Sequence, residues 1–210
     1  MSIPVRPVAM AVALAAAGLL LLLALQGGAQ GPLPSGGGGH DHASHSHAGA
    51  GIRPTWAMRA TSVDQLANRA PVAVVAEVNS VRPGPELADD SKAHPGLGLP
   101  TERISFNVRE GVYGDVPETF DLFRVGSASL AIEGDPAYKP GERYLLFVEP
   151  RVDGTGQREI GTYVPISPDG RLRVAEGRVN PTIDGDLGQR LRGRPLAEVK
   201  SEARSARKGG

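Results

Sequence analysis

Ile104-Ser105-Phe106-Asn107-Val108-Arg109 places an apolar side chain at every second position, and Glu110-Gly111-Val112-Tyr113-Gly114 follows directly. A period of two belongs to a strand with one face buried and the other wet. Gly111 and Gly114 bracket Val112-Tyr113, which predicts a bend or turn there. Upstream, Val72-Ala73-Val74-Val75-Ala76-Glu77-Val78 is apolar on both alternations and rich in Val, as a well-buried strand is. Ser62-Val63-Asp64-Gln65 has the spacing of a capping box, so a short helix is expected to about Arg69, ended by Pro71. Residues 82–100 are rich in Pro, Gly and Asp and are expected to form a long loop.

Downstream, Thr119 to Val125 reads as a strand, and residues 126–141 as a second loop that closes on Pro140-Gly141. Tyr144-Leu145-Leu146-Phe147-Val148 is the most apolar strand, with Pro150 expected to stop it. Thr162-Tyr163-Val164 is a weaker strand. Ser167-Pro168-Asp169-Gly170 is a turn signal, and Leu172 and Val174 then alternate with Arg171 and Arg173 as the return strand of a hairpin. Pro195 suits the first turn of a C-terminal helix carrying Leu196 and Val199 to about Ala206. This gives about six strands with a short helix at each end, and no alternation of strand and helix that would predict a parallel sheet. The expected fold is mostly β: an antiparallel, OB-like barrel with short flanking helices, spanning residues 53–206.

The succession of Pro71–Val78, Ile104–Gly114 and Lys139-Pro140-Gly141-Glu142-Arg143-Tyr144-Leu145-Leu146-Phe147 resembles the OB-type barrel of netrin-like domains and tissue inhibitors of metalloproteinases. It is also similar to uncharacterised bacterial envelope proteins with such a barrel, over about residues 62–180. Those inhibitors insert an N-terminal cysteine onto the protease zinc. The chain has no cysteine, so the resemblance implies the fold and not that activity.

Outside the barrel the chain changes character. Arg6 precedes an uncharged run from Val8 to Leu25, and Gly27-Gly28-Ala29 follows. That is the layout of an export signal. The run fits either a signal peptide cleaved after Ala29 or an N-terminal apolar helix retained as a signal anchor in the membrane through residues 8–25. In the second case Arg6 favours an N-terminus inside and a barrel outside. Residues 30–52 are a Gly- and His-rich stretch without apolar periodicity, expected to be a disordered, flexible linker. The expected location is extracytoplasmic, either secreted or anchored to the cell membrane.

Composition narrows the chemistry. Lys plus Arg is 23 and Asp plus Glu is 23, so net charge is zero, and aromatic residues are only 4%. A nucleic-acid binder is normally basic and supplies stacking platforms, so nucleic acid is not an expected partner. Zero cysteine removes thiolate nucleophiles, cysteine zinc sites and iron–sulfur clusters.

The sharpest local feature is His40, His42, His45 and His47 beside Asp41 in eight residues. Neutral imidazoles at this spacing are candidate ligands for zinc or copper, although a flexible chain must lose entropy to close around the ion. His94 lies alone in the 82–100 loop, without a Gly-x-Ser-x-Gly elbow, a His-Glu-x-x-His pair or a phosphate loop elsewhere. Asp89-Asp90 and Asp184-Gly185-Asp186 lack the ligand ladder of a calcium loop and read as turns. The basic C-terminal end, Leu187 to Gly210, could attract anionic lipid or cell-wall polymers, but a charge run of this kind reads first as a solvated helix face and frayed tail. Trp56 and Met58 are expected to cap the core, and Tyr113 and Tyr144 to belong to it.

No complete catalytic constellation emerges, and no cofactor motif. The leading expectation is a non-enzymatic binding or interaction module of the bacterial cell envelope, with an envelope protein or polymer as partner. An extracytoplasmic metal-binding protein using the His-rich linker is the first alternative. A hydrolase built from distant carboxylates is the second.

Overall fold

A computed structural model describes residues 59–88, 98–127, 130, 135 and 137–209. The apolar run 8–25, the linker 30–52 with His40, His42, His45 and His47, Trp56, Met58, Asp89, Asp90 and His94 all lie outside the described residues.

Helix α1 (Val63–Arg69) begins as its capping box predicts: the Ser62 hydroxyl accepts from the Gln65 amide at 3.0 Å. Strands β1 (Val72–Pro83), β2 (Leu87–Ala88), β3 (Gly98–Leu99), β4 (Thr101–Tyr113), β5 (Thr119–Val125), β6 (Arg143–Val152) and β7 (Arg158–Pro165) follow. A 3-10 turn at Pro168–Gly170 leads to β8 (Arg171–Ala175) and β9 (Arg178–Pro181), then to helices α2 (Asp186–Leu191) and α3 (Leu196–Gly209). The main sheet runs β1-β4-β5-β7-β6-β8-β9, and β6 also pairs with β1. That extra pairing closes a five-stranded barrel, β1-β4-β5-β7-β6, of the OB-like class expected. Every pairing is antiparallel except β5 with β7, which is parallel and spans only Asp121↔Thr162 and Leu122↔Tyr163.

Two cores share the barrel wall. Alternate residues of β1, β4, β5 and β6 point inward, among them Val74, Ile104, Phe106, Phe120, Leu122, Tyr144 and Leu146. The opposite faces of β1 and β6, with Ala73, Val75, Leu145 and Phe147, pack outward beneath all three helices through Leu66, Leu187, Leu191, Val199 and Ala203. Both faces of β1 over Val72–Ala76 and of β6 over Tyr144–Val148 are therefore dry, which is why those stretches are continuously apolar instead of alternating. Among the described residues no helix is long and apolar enough to cross a membrane.

Several local expectations are corrected. Gly111 makes no turn: β4 runs on to Tyr113, and two of the three shifts of register against β1, those between Ala73/Val74 and Val75/Ala76, absorb extra residues as bulges near it. The turn comes at Gly114, where φ is +76°. Pro150 does not end β6, which continues to Val152 with Pro150 opposite Tyr163. β1 accompanies β6 only as far as Val148, so beyond it a missing amide hydrogen is tolerated on the side without a neighbour. The segment Ser167–Gly170 is not a hairpin turn. It carries the chain onward along one edge of β6, so that β7 and β8 pair with successive parts of that strand. The real hairpin is β8–β9, turned by Glu176 (φ 51°) and Gly177 (φ 71°). The 82–100 stretch contains the short β2–β3 pair. Nine strands and three α-helices are therefore present among the described residues, against six and two expected.

Candidate functional site

The barrel interior is filled by aromatic rings. Phe106 stacks on Phe120 at 5.3 Å and meets Tyr138 and Tyr144 edge-on, while Phe120 meets Tyr163 at 5.3 Å. These five rings occupy the space in which a larger barrel would hold a ligand. Burial pushes the Tyr138 hydroxyl up to about 12, and burial followed by the Glu142 hydrogen bond raises Tyr144 as well. The Tyr144 hydroxyl donates to Glu142 at 2.7 Å.

At one end the interior turns ionic. The inward alternation that places Ile104 and Leu122 also places Glu102 and Arg124, and Arg171 lies opposite inward-facing Leu146. The Arg124 and Arg171 side chains are 2% and 1% exposed. Arg124 donates to Glu102 at 2.6 Å and to the Asp135 carbonyl at 3.0 Å. The Asp135 carboxylate accepts from Arg171 and lies 3.4 Å from Arg124 Nε. This cluster fills the end of the barrel where β5 and β8 have no ladder between them.

The outward alternation of β4, β5 and β7 builds a polar wall. Ser105 donates to Asp121 at 2.5 Å, and Arg82 from β1 donates to Ser105 at 3.0 Å and to Asp121 at 3.3 Å. Arg103 donates to Thr162 at 3.1 Å and pairs with Glu159, which Arg151 also grips. The Arg151 guanidinium lies 4.0 Å from the centroid of the Phe123 ring. Burial raises the Glu159 carboxyl, but hydrogen bonds from Arg103 and Arg151 outweigh it and leave the group below the usual carboxylate range. Beyond the wall, the β6–β7 hairpin carries two apolar side chains in water, Val152 at 58% and Ile160 at 98% exposure.

The wall presents guanidinium, hydroxyl, carboxylate and phenyl groups whose positions are fixed by one another. Such a surface is suited to recognition. Among the described residues no three His, Cys, Asp or Glu side chains converge as metal ligands. The basic C-terminal residues lie on a solvated face, as expected, with Arg190, Arg192, Arg207 and Lys208 exposed, and several of them also pair with acidic or carbonyl groups. Lys200 and Arg204 hold Glu110, Arg194 holds Glu202, Arg192 holds Asp184 and Arg190 donates to the Thr61 carbonyl. Asp184, Gly185 and Asp186 lead into α2, as turn chemistry predicts.

Neither the wall nor the ionic cluster was identified from sequence. The signal for the wall was present in the polar half of the alternation, Arg103, Ser105, Asp121 and Thr162, but pairing order alone makes those residues neighbours. The alternation of Arg171 and Arg173 with Leu172 and Val174 gives no sign that one guanidinium is buried, yet Arg171 is the largest of the fully buried side chains among the described residues. Compared with known proteins, the chain matches no family model and no curated sequence.

Proposed function

We propose that the chain is an exported or membrane-anchored, non-enzymatic binding module of the cell envelope, with the outer wall of β4, β5 and β7 as its recognition surface. The observation that carries this reading is the Arg103–Glu159–Arg151–Phe123 lattice, which holds charged and aromatic groups in one arrangement before any partner arrives. Preorganisation of this kind lowers the entropy lost on binding. The corresponding wall and adjoining loops of OB-like barrels bind extended chains such as oligosaccharides. The partner class is an envelope protein or polymer. Binding of the full chain to cell-wall glycan and to envelope protein fractions tests the reading. Arg151→Ala is expected to weaken binding at least about tenfold, or about 1.4 kcal/mol, with the fold intact by circular dichroism. Undiminished binding by that variant removes the wall from consideration.

A second reading rests on the four imidazoles of His40, His42, His45 and His47. In that reading the chain handles zinc or copper outside the cytoplasm. Calorimetric titration of either ion into the full chain and into a chain lacking residues 40–47 separates the two, since only the metal reading expects stoichiometric heat that the deletion abolishes.

A further inference from the structure

An aspartate followed by glycine is a place where a main chain can rearrange without an enzyme, because glycine has no side chain to shield its amide. The glycine nitrogen attacks the carbon of the neutral side-chain carboxyl. Its proton and the carboxyl hydroxyl leave as water, and a five-membered succinimide forms. Water then opens the ring at either carbonyl, which returns aspartate or gives isoaspartate. The sequence holds three such pairs, Asp153-Gly154, Asp169-Gly170 and Asp184-Gly185, and no Asn-Gly. Their surroundings separate them. Asp169 is buried, its carboxylate accepts from Arg59 and from the Ala60 amide, and the Gly170 amide donates to the Ser167 carbonyl at 3.0 Å. Both reacting groups there are taken. Asp153 lies in an exposed turn, but one carboxylate oxygen accepts from the Thr155 amide at 2.8 Å, the Thr155 hydroxyl at 2.7 Å and the Gln157 amide at 2.9 Å. Those bonds, the Thr155 hydroxyl first, also hold its carboxyl below the ordinary value and so keep it from the neutral form that reacts.

Asp184 has neither protection. Its side chain is 91% exposed, and among the described residues its carboxylate has one partner, Arg192 at 2.9 Å, itself 58% exposed. The Gly185 amide donates to no group among the described residues. We propose that Asp184-Gly185 is a site of spontaneous main-chain modification, the pair at which the folded chain forms isoaspartate. The product carries one extra methylene in its backbone just before α2, and the former Asp184 carbonyl becomes the free carboxylate. That carbonyl accepts from Arg59 at 3.2 Å in the unmodified chain, whereas the side-chain carboxylate belongs to Arg192. Rearrangement therefore moves one negative charge from Arg192 to Arg59, the residue that fastens the segment before α1. The site lies apart from the outer wall and does not depend on the reading of that surface.

The test is ageing of the full chain at physiological temperature and near-neutral pH, with isoaspartate located by peptide mapping and electron-transfer fragmentation. In the folded chain Asp184 is expected to react at least about tenfold faster than Asp153 or Asp169, the ratio that roughly 1.4 kcal/mol of barrier gives. The same ageing in guanidinium chloride removes the local structure and is expected to bring the three pairs to similar rates. Asp184→Glu keeps the charge but would have to close a six-membered ring, and is expected to bring position 184 down to the level of the other two pairs. Absence of isoaspartate at Asp184 in the folded chain overturns the proposal. So does a rate at Asp153 or Asp169 equal to that at Asp184. A preference for Asp184 that persists unchanged in guanidinium chloride overturns it too, because local sequence and not the fold would then make the choice.

Discussion

Gly111 and Gly114 look equivalent in sequence, yet the chain treats them differently. Gly114 has φ +76°, and a Cβ there would sit 2.3 Å from the Pro71 carbonyl oxygen and 3.0 Å from Val72 Cα. Backbone lies on that side, so nothing can swing away. Gly111 has open space around the same position. Gly114→Ala is therefore expected to lose about 2–4 kcal/mol of stability, combining left-handed strain with the clash. Gly111→Ala should change it by less than about 1 kcal/mol. Urea unfolding of both variants checks the pair, and similar midpoints would show that the turn at Gly114 is not as tight as described. Asp169 makes a related point about single residues. Its carboxylate accepts from the Ala60 amide at 2.9 Å and from Arg59 at 3.0 and 3.2 Å, so the segment before α1 is fastened to the 3-10 turn. The same carboxylate is part of what makes Ser167–Gly170 a continuation instead of a hairpin.

At the scale of elements, α3 docks through apolar Val199 and Ala203 on one side and through charge on another. Lys200 reaches Glu110 of β4 at 2.5 Å and Arg204 reaches it at 2.9 Å. The Lys200 hydrogen bond is the main reason that the Glu110 carboxyl titrates below its ordinary value; burial opposes it, and Arg204 adds to it. A carboxyl with a depressed folded value adds stability above its unfolded value of about 4.5 and loses it as pH falls through the folded one. The stability advantage of the unaltered chain over Glu110→Gln is therefore expected to be present at pH 7 and to shrink progressively as pH falls below about 4.5. It should stay below about 1 kcal/mol because Glu110 is 41% exposed. Denaturant midpoints of both proteins across that range, at low and high salt, read it directly. An advantage that grows on acidification contradicts the pairing.

Elements with a strong local signal were legible in the sequence. The Ser62 cap of α1, the alternation of β4 and the Thr119–Val125 limits of β5 needed only neighbouring residues. β9 and α2 escaped because their signals are short: β9 has four residues and α2 six, and the two-residue turn Glu176-Gly177 that pairs β9 with β8 puts a Glu where a positive φ ordinarily calls for Gly, Asn or Asp. The outer wall and the ionic cluster escaped for a different reason. A guanidinium that faces water and one that plugs a barrel carry the same letter, and only the pairing of β8 with β6 separates them.

For the molecule as a whole, the placement of tyrosines sets an alkaline limit. Burial raises Tyr113 and Tyr138 to about 12 each and pushes Tyr144 up as well. The unfolded chain gives up these protons near pH 10, whereas the folded chain keeps them. Stability therefore falls from about pH 10 upward, and continues to fall through about pH 12. Absorbance of tyrosinate should show the urea-unfolded chain half titrated near pH 10, with Tyr113 and Tyr138 of the folded chain ionising only at about 12. Full ionisation of Tyr113, Tyr138 and Tyr144 below pH 11, in a chain still folded by circular dichroism, would contradict the packed interior. The sharing of β1 and β6 by both cores has a further consequence during synthesis. β1 leaves the ribosome early, but both of its apolar faces wait for Tyr144–Val148, about 70 residues later. At roughly 5–20 residues per second that is on the order of 4–14 s. Throughout that interval Val72-Ala73-Val74-Val75-Ala76 is a nascent strand without its β6 neighbour, so a stretch that the finished protein buries almost completely is one that its making leaves in need of a chaperone.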